Sequence, residues 1–320
     1  MGLFDWIFGR KSDSPEGRAS PARFGMDDLA RRVGLSVQLL RSMPIAYHEF
    51  EIPKRSGGFR RISSPDTQLK SVQRLILGRV LGRLRAHDCA HGFEVGRSIV
   101  TNALPHQKAA VVLKIDIRDF FPRTTAKRVN AYFRQIGWDT VASAALTRLC
   151  THQGGLPQGA ATSPRLSNVV NYQLDSRLAG AARGFRAARF DASGEMLPPE
   201  GLTPIAAAYT RYADDITFSL ATDVPYLTHS LLSIAKKVLR DYGYELHQDR
   251  KLQIRRRYER QMITGLVVND GVQLPRETRR RLRAIRHSIA RGRPITLTPQ
   301  QWAGWESLER MIASQSDQGM

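Results

Sequence analysis

Apolar positions change period several times along the chain, and each change predicts an element. Leu29, Val33, Leu35 and Leu39 recur at helical spacing and predict a helix over 27–42. Residues 49–64 read instead as two extended runs, FEIPKR and FRRISS, parted by Gly57-Gly58, which predicts a hairpin. Leu69, Val72, Ile76, Val80 and Leu84 share one side of a helix over 69–85, and residues 111–117 form an apolar strand. Two helices follow, over 125–135 and 140–150. Ser163 as N-cap and Pro164 as first helical residue then open a helix running to Leu178. Strands over 206–212 and 216–220 flank Asp214-Asp215. After them come a helix over 226–242, a strand over 262–269 and a basic helix over 275–290. Residues 9–24 are rich in Gly, Pro, Ser and Arg and read as a linker, and the aperiodic stretch 183–204 reads as an exposed insertion. An antiparallel hairpin with helices on one side places the chain in the α+β class.

Charge changes the picture more than size does. The 320 residues carry 49 Lys and Arg against 29 Asp and Glu, a formal net charge of +20. Such an excess says little about fold but points to a polyanionic partner, nucleic acid ahead of an anionic membrane. Apolar residues make up 42%, enough for a sizeable core, which excludes a disordered chain. Cys89 and Cys150 are the only cysteines, with no CxxC pair, so neither a zinc site nor a disulfide framework is expected and a reducing cytoplasm fits. No apolar run is long enough to span a bilayer, and the start, MGLFDWIF, reads as a short packing helix or loose end.

Carboxylates carry the candidate chemistry. Asp214 and Asp215 fall at a tight turn between two strand-like stretches, where like charges repel unless a cation sits between them. Asp116 ends the apolar strand VVLKIDI and would join them in a cluster of oxygen ligands, the donor type magnesium prefers. Two such ions can clamp the attacking and leaving oxygens of a phosphoryl transfer. Asp119, three residues on, reads two ways, as a group near the metals or, preferred, as a structural cap.

In order along the chain, IPKRSGGFRRI, KIDIRDFF, GLPQGAATSPRLSN and YADD resemble the fingers hairpin and palm motifs of reverse transcriptases. Within that family the bacterial retron enzymes are most similar. Asn102-Ala-Leu-Pro-His106 resembles their NAxxH signature, HGFEVGRSIVTNA the block around it, and Ile263-Thr-Gly265-Leu-Val-Val-Asn269 their VTGLVVN, with Ile for the usual Val. The family's Asn-x-x-Lys-Thr before the thumb appears here as Gln248-Asp-Arg-Lys251-Leu252.

The resemblance implies a right-hand polymerase. Its divisions would be a tail over 1–24, N-terminal helices and fingers over 25–110, a palm over 111–253 and an RNA-binding thumb over 254–320, with no separate nuclease domain. Asp116, Asp214 and Asp215 would hold two Mg2+ ions. Lys54 and Arg60 would grip the incoming deoxynucleoside triphosphate, Gln158 and Gly159 would lie against it, and Phe121 would collide with a ribose 2′-hydroxyl. Lys251 would protonate or screen the leaving diphosphate. Asn102 and His106 would tie a fingers-palm junction or touch RNA. Arg276, Arg279, Arg280, Arg283 and Arg286, joined by His287, fall on one face of the basic helix and would bind RNA phosphates, with Leu282, Ile285 and Ile289 packing inward. The implied activity is copying a structured noncoding RNA into DNA that stays with it, in phage defence, beside a separate effector protein. Two rivals are an intron-encoded or diversity-generating reverse transcriptase, and a non-catalytic RNA-binding relative.

Overall fold

A computed structural model describes residues 23–54, 57–184, 186–187, 203–204, 206–247 and 252–317. In chain order the elements are helices α1 (Met26–Val33) and α2 (Val37–Ser42), strands β1 (Tyr47–Pro53) and β2 (Phe59–Pro65), and α3 (Thr67–Ile76), which runs on as a wider π turn over Leu77–Leu81. Then follow α4 (Ile99–Ala103) with a 3₁₀ turn over Leu104–His106, β3 (Val111–Asp116), α5 (Phe120–Arg123), α6 (Ala126–Gln135), α7 (Thr140–Cys150), α8 (Ser163–Val170) and α9 (Tyr172–Arg183). The short strands β4 (Arg186–Ala187) and β5 (Thr203–Pro204) precede β6 (Ala207–Tyr212), β7 (Asp215–Leu220), α10 (Pro225–Asp241) and β8 (Gln253–Arg256). The chain closes with β9 (Met262–Ile263), β10 (Leu266–Val267), α11 (Arg276–Ala290) and α12 (Pro299–Asp317). Helices and antiparallel sheets are thus mixed, as the α+β reading expects.

The chain divides into two compact units. The first takes residues 1–88, 118–176 and 239–245; the second takes 89–117, 177–238 and 246–320. The first unit is a helical core beside one hairpin. Leu29, Val33, Leu40, Leu69, Ile76, Val129, Phe133, Leu146 and Leu149 are fully buried, and Trp138 packs on Phe24 at an interplanar tilt of 50°, with the Arg32 guanidinium over both rings. β1 and β2 pair antiparallel from Tyr47–Pro65 to Pro53–Phe59.

The second unit is built on a four-stranded antiparallel sheet in the order β6-β7-β3-β8. β3 lies inside it, and Val111, Val112, Leu113 and Ile115 are all buried. Against this sheet Val100, Ala103, Val112, Ile263, Leu266, Val268 and Leu282 form one apolar cluster, sealed by Trp302, Trp305, Leu308 and Ile312 of α12. Among the described residues no helix is long and apolar enough to cross a membrane. Cys89 and Cys150 are free thiols, and burial pushes Cys150 up to about 12.

Several sequence expectations are corrected. The helix over 27–42 is two helices, broken where Gly34 takes a left-handed φ of 75°, and Leu39 is exposed while Leu40 is buried. The helix opening at Ser163 stops at Val170, not Leu178, and its N-cap is Thr162. Asn171 interrupts it: the buried amide donates to the Ser167 carbonyl and the Tyr244 hydroxyl and accepts from Arg128, a side-chain alternative to the helical ladder. The strand over 262–269 is a minimal hairpin, because Thr264 and Gly265 both take positive φ, 46° and 86°. Most of the 183–204 insertion lies outside the described residues.

Candidate active site

Asp116 is the last residue of β3 and only 6% exposed. β7 runs antiparallel to β3 in a register that sets Asp215 directly opposite Asp116, and β6 sets Tyr212 opposite Asp215. Directly opposed residues share a face of the sheet, with Cβ atoms about 4.5–5.5 Å apart. Asp116 and Asp215 therefore rise from one face at one end of the sheet. Ala213 and Asp214 make the two-residue turn between β6 and β7, and the Ile117 N–H donates to the Asp214 carbonyl at 3.0 Å. Ala213 sits at φ 57°, a left-handed conformation that a residue with a Cβ adopts under constraint.

The three aspartates thus share one sheet end, although among the described residues no three His, Cys, Asp or Glu side chains already converge as a cage. The donor set fits a divalent cation: two face-sharing carboxylates repel one another in its absence, and hard oxygen donors suit Mg2+.

Three neighbours of this turn were given no role by the sequence, although Gly92 lies in the HGFEVGRSIVTNA block. The His247 N–H donates to the Asp116 carbonyl at 3.1 Å, and its Nε2 lies 3.6 Å from Asp116 Oδ1. Arg211 is fully buried and its guanidinium donates to the Ala213 carbonyl at 3.1 Å. Gly92 presses on the turn so closely that a Cβ there would lie 2.7 Å from the Ala213 nitrogen. Asp119 departs from expectation. It stands at the N-cap of α5 with φ 49° but makes no side-chain cap, and its carboxylate lies 3.5 Å from Arg118 instead.

In the first unit the structure gathers other sequence candidates around β2. Arg60 and Ile62 alternate onto one face of the hairpin, and Lys54 closes its turn by donating from its N–H to Gly58 at 2.9 Å. The loop carrying Gln158 and Gly159 lies along β2, where the Ser63 N–H donates to the Gln158 carbonyl at 2.9 Å. Gly159 is required there: φ is 136°, and a Cβ would meet the Ser63 carbonyl oxygen at 2.8 Å and Ile62 Cγ2 at 3.1 Å. Phe120 is buried against Tyr244, whereas Phe121 beside it, with its ring 5.6 Å from that of Phe120, is only half-buried. Lys251 lies outside the described residues.

The basic helix α11 packs inward through Leu282 and Ile285, but Ile289 is 42% exposed and does not join them. Its outer arginines divide. Arg276, Arg279, Arg283 and Arg286 line one groove with Glu309 of α12, and Arg280 lies off that groove. Arg286 is tied to Glu309 at 2.6 Å and lies over the Trp302 ring, while Glu277 pairs away from the groove with Arg260. The segments NALPH and ITGLVVN, far apart in sequence, meet in the cluster under α11. Thr264 donates its hydroxyl to the Ile99 carbonyl at 3.0 Å, and the Lys108 N–H donates to Val268 at 2.9 Å.

Comparison with known proteins identifies the family. Residues 52–267 match the family model "Reverse transcriptase (RNA-dependent DNA polymerase)". The retron Mx162 reverse transcriptase of Myxococcus xanthus is 37% identical over 83% of this chain and 59% of its own length. The retron Mx65 reverse transcriptase of the same organism is 36% identical over 87% of this chain and 67% of its own. The retron Ec86 reverse transcriptase of Escherichia coli is 30% identical over 92% and 87%. The chain therefore spans about three fifths of the first of these relatives. With a family model over residues 52–267 and retron relatives 30–37% identical over most of its length, the chain belongs to the reverse transcriptase family, on its retron branch.

Proposed function

We propose that this chain is a retron RNA-directed DNA polymerase, which copies a structured noncoding RNA into DNA by phosphoryl transfer at Asp116, Asp214 and Asp215. The observation that carries the proposal is the register that sets Asp116 opposite Asp215, one residue beyond the Ala213-Asp214 turn. Reverse transcriptases use divalent metal ions. Two Mg2+ ions held by these carboxylates would activate the primer hydroxyl and neutralise the leaving diphosphate.

The remaining roles belong to this chain's own side chains. The second unit's sheet supplies the fixed carboxylates of a palm. The β1–β2 hairpin acts as fingers: Lys54 and Arg60, both exposed, hold the triphosphate, and Arg60 does so with a fork of donors. Gln158 and Gly159 back the nucleotide. Phe121 excludes a 2′-hydroxyl through bulk alone, and Lys251 screens or protonates the diphosphate. The arginines of α11 act as the thumb's grip on RNA phosphates, which adds salt-dependent affinity without reading sequence. Work in a reducing cytoplasm, phage defence and a separate effector protein complete the reading.

The test is primer extension on an RNA template with deoxynucleoside triphosphates and Mg2+. The wild type should extend. Asp116→Asn should not, while its RNA affinity stays within about twofold of the wild type, because RNA is held by a distributed basic surface. Extension by Asp116→Asn at the wild-type rate would overturn the assignment.

A further inference from the structure

We propose that residues 89–106 are a brace that positions the catalytic turn, with Gly92 setting the turn itself and His106 locking the two strands behind it. The proposal rests on the assignment of Asp214 and Asp215 as catalytic. It gives a role to NALPH and to the HGF segment before it, which the polymerase motifs leave unexplained.

The first contact is along an edge. β6 ends the four-stranded sheet, and its outer side would be open there. Residues 89–91 cover it: the Arg211 N–H donates to the Cys89 carbonyl and the His91 N–H to the Arg211 carbonyl, both at 2.8 Å. This pairing delivers Gly92 onto the turn. A Cβ on Gly92 would meet Ala213 N at 2.7 Å, Tyr212 C at 3.3 Å and Tyr212 Cα at 3.4 Å. All three are backbone atoms, so no side chain can swing away to make room. Ala213 is thus pressed by Gly92 at its nitrogen and held by Arg211 at its carbonyl. A residue at φ 57° needs such support, because its relaxed conformation would turn Asp214 and Asp215 elsewhere.

The second contact is on the face. His106 is 0% exposed; its Nδ1 lies 2.7 Å from Ser219 Oγ on β7 and its Nε2 2.8 Å from Thr210 Oγ1 on β6. Thr210 also reaches the Asn102 carbonyl at 3.4 Å, and it must be the donor there. The proton order follows: Ser219 donates to Nδ1, Nε2–H donates to Thr210, and Thr210 donates to Asn102. This order needs a neutral imidazole, and burial holds His106 at about 3. Thr210 lies four residues before Asp214 and Ser219 four after Asp215. One ring therefore ties both strands at equal distance from the aspartates, on the face that Asp215 and Asp116 share. His91 joins the two contacts, with Nδ1 3.0 Å from Thr101 Oγ1 in α4. Asn102 and His106 are both buried, so neither can touch RNA from this position.

A histidine that merely fills a core would lower the fraction of folded enzyme when replaced, without slowing the molecules that remain. The experiment separates these roles. Gly92→Ala, His106→Leu, His106→Gln and the double variant Thr210→Val/Ser219→Ala are compared with wild type in active-site-titrated primer extension, beside RNA affinity and thermal melting. Gly92→Ala and His106→Leu should lower kcat per active site about 10- to 100-fold, the range expected when reacting groups move by about 1 Å. RNA affinity and the KM for deoxynucleotide should stay within about twofold. His106→Gln, which keeps a donor and an acceptor, should recover part of kcat. The double variant removes both partners with little change in volume and should match His106→Leu, which keeps the test open if that variant folds poorly. Unchanged kcat per active site in Gly92→Ala and in the double variant would overturn the brace and leave a core role only. A loss confined to RNA affinity would overturn it in favour of an RNA contact. Asp215→Asn serves as a control: synthesis surviving there would remove the catalytic assignment, whatever the brace variants do.

Discussion

Three of the four arginines in the α11 groove have no acidic partner among the described residues, and this sets the size of an expected effect. Arg276, Arg279 and Arg283 face the groove unpaired, whereas Arg286 is held by Glu309. If the three contact RNA phosphates, each should contribute about 0.7–0.9 to the slope of log affinity against log salt. The triple change to Ala then lowers the slope by about 2–2.7. Between 50 and 200 mM salt, a fourfold range, the variant's affinity defect should shrink by about 15- to 40-fold, because the lost term is the salt-sensitive one. The assay is filter binding of the cognate RNA to both proteins at several salt concentrations. A second arm uses Arg280→Ala, which lies off the groove and should change the slope by less than the average member of the triple. Glu309→Gln frees Arg286 and should steepen the slope, by up to one further contact. Parallel lines for wild type and triple variant would refute the reasoning and place the RNA elsewhere.

Phe121→Ala should raise ribonucleotide incorporation relative to deoxyribonucleotide by about 10- to 200-fold while sparing DNA synthesis, since one steric contact supplies discrimination of that order; an unmoved ratio would make Phe121 a packing residue. Acid should destabilise the second unit through two histidines whose burial depresses them, His106 to about 3 and His91 to about 4. Both are lowered, so their stabilisation is complete above the unfolded value near 6.5 and is lost as pH falls toward the folded values. Each forfeits about 2 kcal/mol by pH 5. Urea melts at pH 7.5 and 5 should show this loss, and His106→Gln should lose about half of the pH dependence; an equal dependence in both proteins would contradict it.

Much of the site was legible because it is written locally. Asp116 ends an apolar strand, and YADD interrupts two others, so charge at a strand end marks the place directly. What was not legible depends on partners remote in sequence. Nothing around Gly92 signals that Ala213 will press against it, since the contact spans more than a hundred residues. His106 has no pattern that separates a buried crosslink from an RNA contact; only its two hydroxyl partners do. Periodicity also misjudged ends and breaks. Asn171 sits within an apparently continuous helix and stops it through its amide, and Thr264-Gly265 hides a turn inside a β-rich run. α12 was not foreseen, although Trp302 and Trp305 seal the core against α11. β8 carries the adjacent arginines Arg255 and Arg256 on a sheet edge, where charge obscures the strand signal.

The central claim is that the paired aspartates at the end of the sheet catalyse DNA synthesis on RNA. The most direct measurement is primer extension by Asp214→Asn/Asp215→Asn beside wild type, on the same RNA template with Mg2+, with RNA affinity measured on the same preparations. The account predicts no extension above background by the double variant and RNA affinity within about twofold of wild type, because the carboxylates act on the transition state and the basic surface holds the RNA. Extension near the wild-type rate would contradict it.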